Sequence, residues 1–163
     1  GMMDHSYSSS AIYEIKLNGE YVSEIEINAA LAGHYNVPVG LVSGDKVTIE
    51  RVKKILPTIE TVITKEGISR YAGILRHPKD VQKELYEKSK KVMKRVDEFK
   101  PFKLNYPLHV EIKFIDTLAC DLVAIMPYVN RKDGRRVEFE SPSMPHFYRM
   151  LITITHLARS VKR

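Results

Sequence analysis

The chain has 163 residues, 44% of them hydrophobic and 28% charged, with a formal net charge of +6. That is enough apolar material for one soluble domain with a real core, and a single cysteine, Cys120, excludes an internal disulfide as its support. No apolar run is long enough to cross a bilayer and no basic start leads into an apolar core, so a cytoplasmic protein without a membrane partner is expected.

The charge is unevenly divided. Residues 1–40 hold Asp4, Glu14, Glu20, Glu24 and Glu26 against Lys16, a balance of −4, which leaves +10 for the remainder. The lysines of KELYEKSKKVMKRVDEFK are interleaved with Glu84, Glu87, Asp97 and Glu98, as on a solvated helix, so no nucleic-acid partner is expected. Gly1 before Met2 reads as a cloning scar, which puts the expected natural start at Met2 or Met3, with the front half that longer relatives would carry missing in nature too.

In chain order, AIYEIKLNG sets Ile12, Glu14 and Lys16 against Tyr13, Ile15 and Leu17, and ends in Asn18-Gly19: a strand entering a tight turn. A second strand is predicted at Tyr21 to Glu24. The small residues Ala29, Ala30 and Ala32 favour a close-packed helix from Ile25 to Tyr35, with Gly33 near its end. VPVGLVSG reads as a buried strand, and Asp45 as the cap of a helix whose apolar face is Ile49, Val52, Ile55 and Leu56, stopped by Pro57. IETVIT is a further strand. Val81, Leu85, Val92, Val96 and Phe99 recur at helical spacing behind Pro78, predicting the longest helix, laid on a sheet. PLHVEIKFI alternates as a strand, DTLACDLVAIM reads as a short helix, and Lys132-Asp133-Gly134 marks a turn. A final helix carries Met144, Phe147, Tyr148, Leu151, Thr155 and Ala158 on one side. Cys120 is expected to be a buried structural thiol. The expectation is a single α/β domain over residues 1–163, a mixed sheet flanked by helices.

Acid–base or metal chemistry requires groups that exchange protons or offer lone pairs near neutral pH, and the first residues supply both in His5 and the nearby carboxylates. Glu24 stands before an apolar, small-residue helix, where a carboxylate would be partly desolvated unless compensated; the plain reading is a helix-start glutamate facing backbone N–H groups. His34, His77, His109, His146 and His156 show no i, i+4 pair and no HExxH pattern, so they are read as surface or satisfied core residues. SGDK lacks the glycine spacing of a phosphate loop.

Taken in order, DHSYSS, LNG, SEIEINAALAGHYNVPVGLVSGD and ETVITKEGISRYAG, followed by PLHVEIKF, ACDLVAIMPYV, DGRRVEFE and FYRMLITITHLAR, resemble the DppA-type D-aminopeptidases, zinc-dependent peptidases acting on short peptides with N-terminal D-residues. The likeness covers nearly the whole chain and implies the larger C-terminal part of such an enzyme. It implies that His5 is the catalytic histidine, that Glu24 is a zinc-binding glutamate, and that Asn28 and Ala29 match the Asn-Ala of the same motif. Ser23 and Glu26 stand where that motif usually has glycines, a departure expected to stiffen the backbone or narrow the pocket. The family's preceding segment, with an Asp-x-Glu pair and two further histidine ligands, has no counterpart here, and a catalytic zinc site needs about three protein ligands and an open position. The resemblance therefore implies a D-aminopeptidase-like metallo-hydrolase whose zinc site is completed by a separate chain carrying the N-terminal half. The alternative is an inactive, oligomerising relative that binds a ligand or protein. A homo-oligomer is expected in either case, with the ALAGHYNVPV region or the final helix in an interface. Whether Tyr7, Lys65 and Glu66 take part stays open at this stage, a solvated ion pair being the plain reading of the last two.

Overall fold

The computed structural model describes residues 1–161, which separate into two compact units: residues 5–34 with the chain from 103 onward, and residues 1–4 with 35–102. The α/β class with sheets flanked by helices holds, and the strands are shared between two sheets.

The larger unit contains a five-stranded antiparallel sheet in the order β2-β1-β6-β8-β7. Its strands are β1 (Ile12–Leu17), β2 (Glu20–Val22), β6 (Leu108–Phe114), β7 (Asn130–Arg131) and β8 (Arg136–Ser141). The β1–β2 turn is the one the Asn-Gly pair predicts: Asn18 and Gly19 both adopt positive φ, 52° and 85°, as a twist-matched two-residue hairpin requires. Alternation in β6 puts Leu108, Val110, Ile112 and Phe114 fully inside, and β8 answers with Val137, Phe139 and Ser141. In β1 the pairing with β6 shifts register between Ile12 and Glu14, so Ile12, Ile15 and Leu17 are buried while Tyr13 is 67% exposed. A bulge of this kind breaks strict two-residue alternation, which is why Tyr13 departs from the side its spacing assigned to it.

Helices α1 (Glu24–His34), α4 (Thr117–Val123) and α5 (Met144–Ser160) belong to the same unit. Ser143 caps α5 by accepting the His146 amide, and Met144, Phe147, Leu151, Ile154 and Ala158 recur every three or four residues as its buried face. Asp116 caps α4, on which Ala119, Cys120 and Val123 are buried. Burial pushes the Cys120 thiol up from its ordinary range, in keeping with a structural role.

The smaller unit holds β3 (Leu41–Asp45), α2 (Lys46–Ile55), β4 (Glu60–Ser69), β5 (Ala72–Leu75) and α3 (Pro78–Lys94). β3 runs parallel to β4, and β5 returns antiparallel. Asp45 Oδ1 accepts the Thr48 amide at 2.8 Å, the expected cap, and α2 buries Ile49 and Val52. β3 is an edge strand and only partly buried, so the reading of VPVGLVSG as a buried strand is corrected; the central strand β4 carries the fully buried Val62. Val81, Leu85 and Val92 form the partly covered face of α3, but the helix stops at Lys94, and Phe99 is buried from the segment beyond a short 3-10 turn, Val96–Glu98. At Gly40 a Cβ would stand 2.5 Å from the Val92 side chain, so only glycine lets the chain leading into β3 pass α3 at that distance.

Candidate functional site

Residues before β1 have no regular structure, yet they are pinned. Ser8 is buried, and its carbonyl accepts the amides of Ala11 at 3.3 Å and Ile12 at 3.1 Å, which fixes how the chain enters the strand. Tyr7, just before it, has a left-handed backbone, φ 58°. For a bulky non-glycine residue that conformation is disfavoured and persists only where surrounding contacts over-determine it.

Those contacts are visible. The Tyr7 amide donates to Glu24 Oε1 at 2.6 Å, and its phenol donates to Asn28 Oδ1 at 3.3 Å. Its ring meets that of Tyr148 edge-on, with centroids 6.1 Å apart and planes at 72°. Burial first, then the neighbouring Tyr148 and the Glu24 carboxylate, push the Tyr7 phenol well above its ordinary range, so it is a neutral O–H donor at any physiological pH. Glu24 opens α1 and Asn28 lies four positions on, so both point to the same side of the helix.

The start of α1 is organised by a different carboxylate. Glu26 Oε2 accepts the Ser23 amide at 2.9 Å and is also touched by the Ser23 hydroxyl, while the Ser23 carbonyl accepts the Ile27 amide at 3.1 Å. This is the glutamate-to-amide half of a capping box, with Glu26 almost wholly buried. The helix-start role that spacing assigned to Glu24 therefore belongs to Glu26, and Glu24 is left half-buried, held by the Tyr7 amide. Ser-x-x-Glu before an apolar helix was the signal in the sequence that pointed there.

His5 is exposed and lies two residues before Tyr7, so the structure brings the His5 segment, Glu24 and Asn28 together in the larger unit. Tyr7 and Tyr148 are the members of this constellation that spacing did not assign. Among the described residues no group of three or more His, Cys, Asp or Glu side chains is placed to hold a metal ion. One Glu24 oxygen already accepts an amide proton. The residues present do not fit zinc by themselves, since one carboxylate falls short of the three protein ligands such a site requires.

The remaining candidates lie elsewhere. Glu66 pairs with Lys46 at 2.8 Å in the smaller unit, both side chains being about half exposed; its partner is thus Lys46 and not the adjacent Lys65. His77 caps α3, accepting the Lys79 amide. His109 and His146 line an open cleft of about 630 Å³ with Tyr128, Asn130, Glu138 and Glu140, and His146 Nδ1 lies 2.8 Å from the buried Ser141 hydroxyl. That hydroxyl donates to the Ser143 carbonyl, so the imidazole is the donor in the His146–Ser141 bond.

On the sheet face opposite the core, Arg136 lies 2.9 Å from Glu14 and 3.0 Å from Glu111, and Lys132 joins Glu111 to Glu138 at 3.2 and 3.1 Å. The Arg136 hydrogen bond holds the Glu111 carboxyl below its ordinary range, against the opposing effect of burial. No helix among the described residues is long and apolar enough to cross a membrane.

The sequence profile of the M55 peptidases, D-aminopeptidase, matches residues 1–153. The D-aminopeptidase of Bacillus subtilis (strain 168) is 28% identical over 159 residues, which cover 97% of this chain and 58% of that protein. Among solved structures, the Zn-dependent D-aminopeptidase DppA from Bacillus subtilis, described as a self-compartmentalizing protease, is similar with a TM-score of 0.93 at 27% identity, covering 100% of this chain and 60% of that one. The chain thus spans about three fifths of the length of the relatives it matches.

Proposed function

The chain belongs to the D-aminopeptidase family, and from that membership we propose that it supplies His5, Glu24 and Asn28 to a hydrolytic site that removes N-terminal D-amino acids from short peptides. The observation that carries this reading is the Tyr7 amide bond to Glu24, which gathers the His5 segment and the Glu24–Asn28 face of α1 into one place. The exposed His5 imidazole, with two ring nitrogens able to accept and donate hydrogen bonds, is assigned the proton transfer that peptide hydrolysis requires. Asn28, also exposed, offers an amide with both donors and an acceptor, able to orient a peptide group while its oxygen holds the Tyr7 phenol. Glu24 provides negative charge that a cation or an ammonium group satisfies.

The zinc named for the relative is not accommodated by this chain's residues alone, so the proposal places the remaining ligands on a separate chain carrying the N-terminal half, with Glu24 as this chain's contribution. The chain is also proposed to form a homo-oligomer, as the relative's self-compartmentalizing description supports. Tyr35 and Val37, within the ALAGHYNVPV region, and Ile68, Tyr71, Ile74 and Leu75 of the β4–β5 hairpin are all more than half exposed, and association covers apolar surface of that kind.

Metal analysis with an assay on a D-alanyl amide tests the reading. The chain alone is expected to hold no stoichiometric zinc; joined to a chain bearing the N-terminal half it gains both zinc and hydrolysis, and Glu24→Gln removes both. Hydrolysis that survives Glu24→Gln in the assembled protein overturns the reading, and zinc-free, inactive assemblies favour the oligomerising, non-hydrolytic alternative. A light-scattering mass equal to the 18.7 kDa monomer at micromolar concentration would remove the homo-oligomer from it.

A further inference from the structure

We infer that Tyr7 is a positioning residue, a three-point clamp that sets the His5 segment in register with Glu24 and Asn28. The inference rests on the proposed reading of those three residues as one site. Each point of the clamp uses a different part of Tyr7. The backbone N–H takes Glu24 Oε1 at 2.6 Å, the phenol O–H takes Asn28 Oδ1 at 3.3 Å, and the ring stands edge-on to Tyr148 of α5. A carboxylate accepting a backbone amide at that distance makes a short, charge-assisted bond with directional preference. It fixes the carboxylate plane and engages one of the two oxygens, so any cation or ammonium group meeting Glu24 shares that oxygen or takes the other.

The clamp also explains the unusual backbone. With φ at 58°, Tyr7 turns its N–H toward α1 instead of along the chain, a conformation that a non-glycine side chain resists. The aromatic and hydrogen-bond contacts of the side chain hold that conformation in place. A non-glycine residue that keeps the amide but lacks those contacts therefore relaxes away from Glu24, and His5, two residues upstream, moves with it. Among the described residues, four other non-glycine residues have positive φ: Met3, Asn18, Asn36 and Tyr128. The amides of Met3 and Asn18 donate to the carbonyls of Arg70 and His109, so a left-handed turn alone does not mark function; the coupling of Tyr7 to Glu24 does.

Backbone and side-chain NMR of the full chain tests the clamp. The Tyr7 amide proton is expected far downfield and to move upfield in Glu24→Gln, which replaces the charged acceptor. In Tyr7→Phe the amide signal is expected to stay while the Asn28 side-chain amide resonances shift, since only the phenol bond is lost. Tyr7→Ala is expected to lose the downfield amide and to shift the His5 ring resonances, whereas Tyr7→Gly, for which positive φ carries no steric penalty, keeps the amide signal in part. Equal loss in the alanine and glycine variants, a Tyr7 amide indifferent to Glu24→Gln, or His5 resonances unmoved in Tyr7→Ala overturns the clamp. If the resonances behave as expected but Glu24→Gln leaves D-alanyl amide hydrolysis intact in the assembled protein, the clamp stands and the proposed function falls.

Discussion

The two units differ in how much of their structure is buried. In the larger one, β6 and α5 place Phe114, Leu108, Ile112, Phe147, Leu151 and Ile154 out of reach of solvent; of the twelve largest fully buried side chains, nine belong to this unit, Ile49, Val52 and Val62 being the others. The smaller unit closes a three-stranded sheet with capped helices and exposed ion pairs, and its hairpin leaves Ile68 and Tyr71 71% and 78% exposed. A sheet that closes on a layered core protects itself by burial, which salt does not weaken, while one that closes on caps and surface charges opens more readily. The candidate site belongs to the well-buried unit: Glu24 and Asn28 are set on α1 and Tyr148 on α5, helices whose other sides are locked in the core, and Tyr7 meets them from the segment before β1. Precise placement of reacting groups needs a support of that kind.

The contrast is most sharply tested in the core. Phe147→Ala removes a fully buried ring from α5 and is expected to destabilise the larger unit by about 3–5 kcal/mol, read from denaturant unfolding curves. A loss below that range would mean that the two units share their stability more evenly than burial indicates.

Next in size is the charged face of the same sheet. Arg136→Met leaves Glu14 and Glu111 without their guanidinium partner, and since Lys132 still pairs with Glu111, a loss of about 1–2 kcal/mol is expected, between the surface and buried ranges. The Glu111 carboxyl is held below its ordinary range in the folded chain, so its contribution is present above the unfolded value of about 4.3 and is lost as the pH falls through the lower folded value. The difference between wild type and Arg136→Met is accordingly expected to shrink in acid, as pH-dependent melts will show.

A smaller effect belongs to the smaller unit. Asp45→Ala strips the cap from α2 and is expected to cost about 1 kcal/mol, seen as faster amide exchange in α2 and β3 while β6 and β8 stay protected. Asp45→Asn, which can still accept the Thr48 amide, should restore most of it. Uniformly faster exchange across both units would argue against separate cooperative behaviour. Smallest is Glu66→Gln: with both partners exposed, the Lys46 pair is expected to leave the unfolding midpoint unchanged, and a clear drop would show that surface charge matters to this unit beyond its caps.

Local rules written into the sequence determined a good part of the molecule. The Asp45 cap and helical spacing located α2, helical spacing located α5, a short apolar segment marked α4, the Asn18-Gly19 pair placed the first hairpin, and the apolar surroundings of Cys120 marked it as buried, because each depends on residues a few positions apart. The ordered motifs that resemble the D-aminopeptidases were legible in the same way, and they pointed to the family to which the chain belongs. Tertiary structure decided the rest. Pairing β1 with β6 joins residues nearly a hundred positions apart and introduces the shift that turns Tyr13 outward, which two-residue alternation cannot foretell. Leaving β3 at a sheet edge made a seemingly buried strand half-exposed, and β5 had no separate signal because its pairing with β4 comes from the hairpin. Above all, the part Tyr7 plays stays open in the sequence until the fold carries it across to Glu24, Asn28 and Tyr148. Its contacts lie seventeen or more positions along the chain, and at that separation it is the packing of α1 and α5, not local spacing, that determines which groups meet.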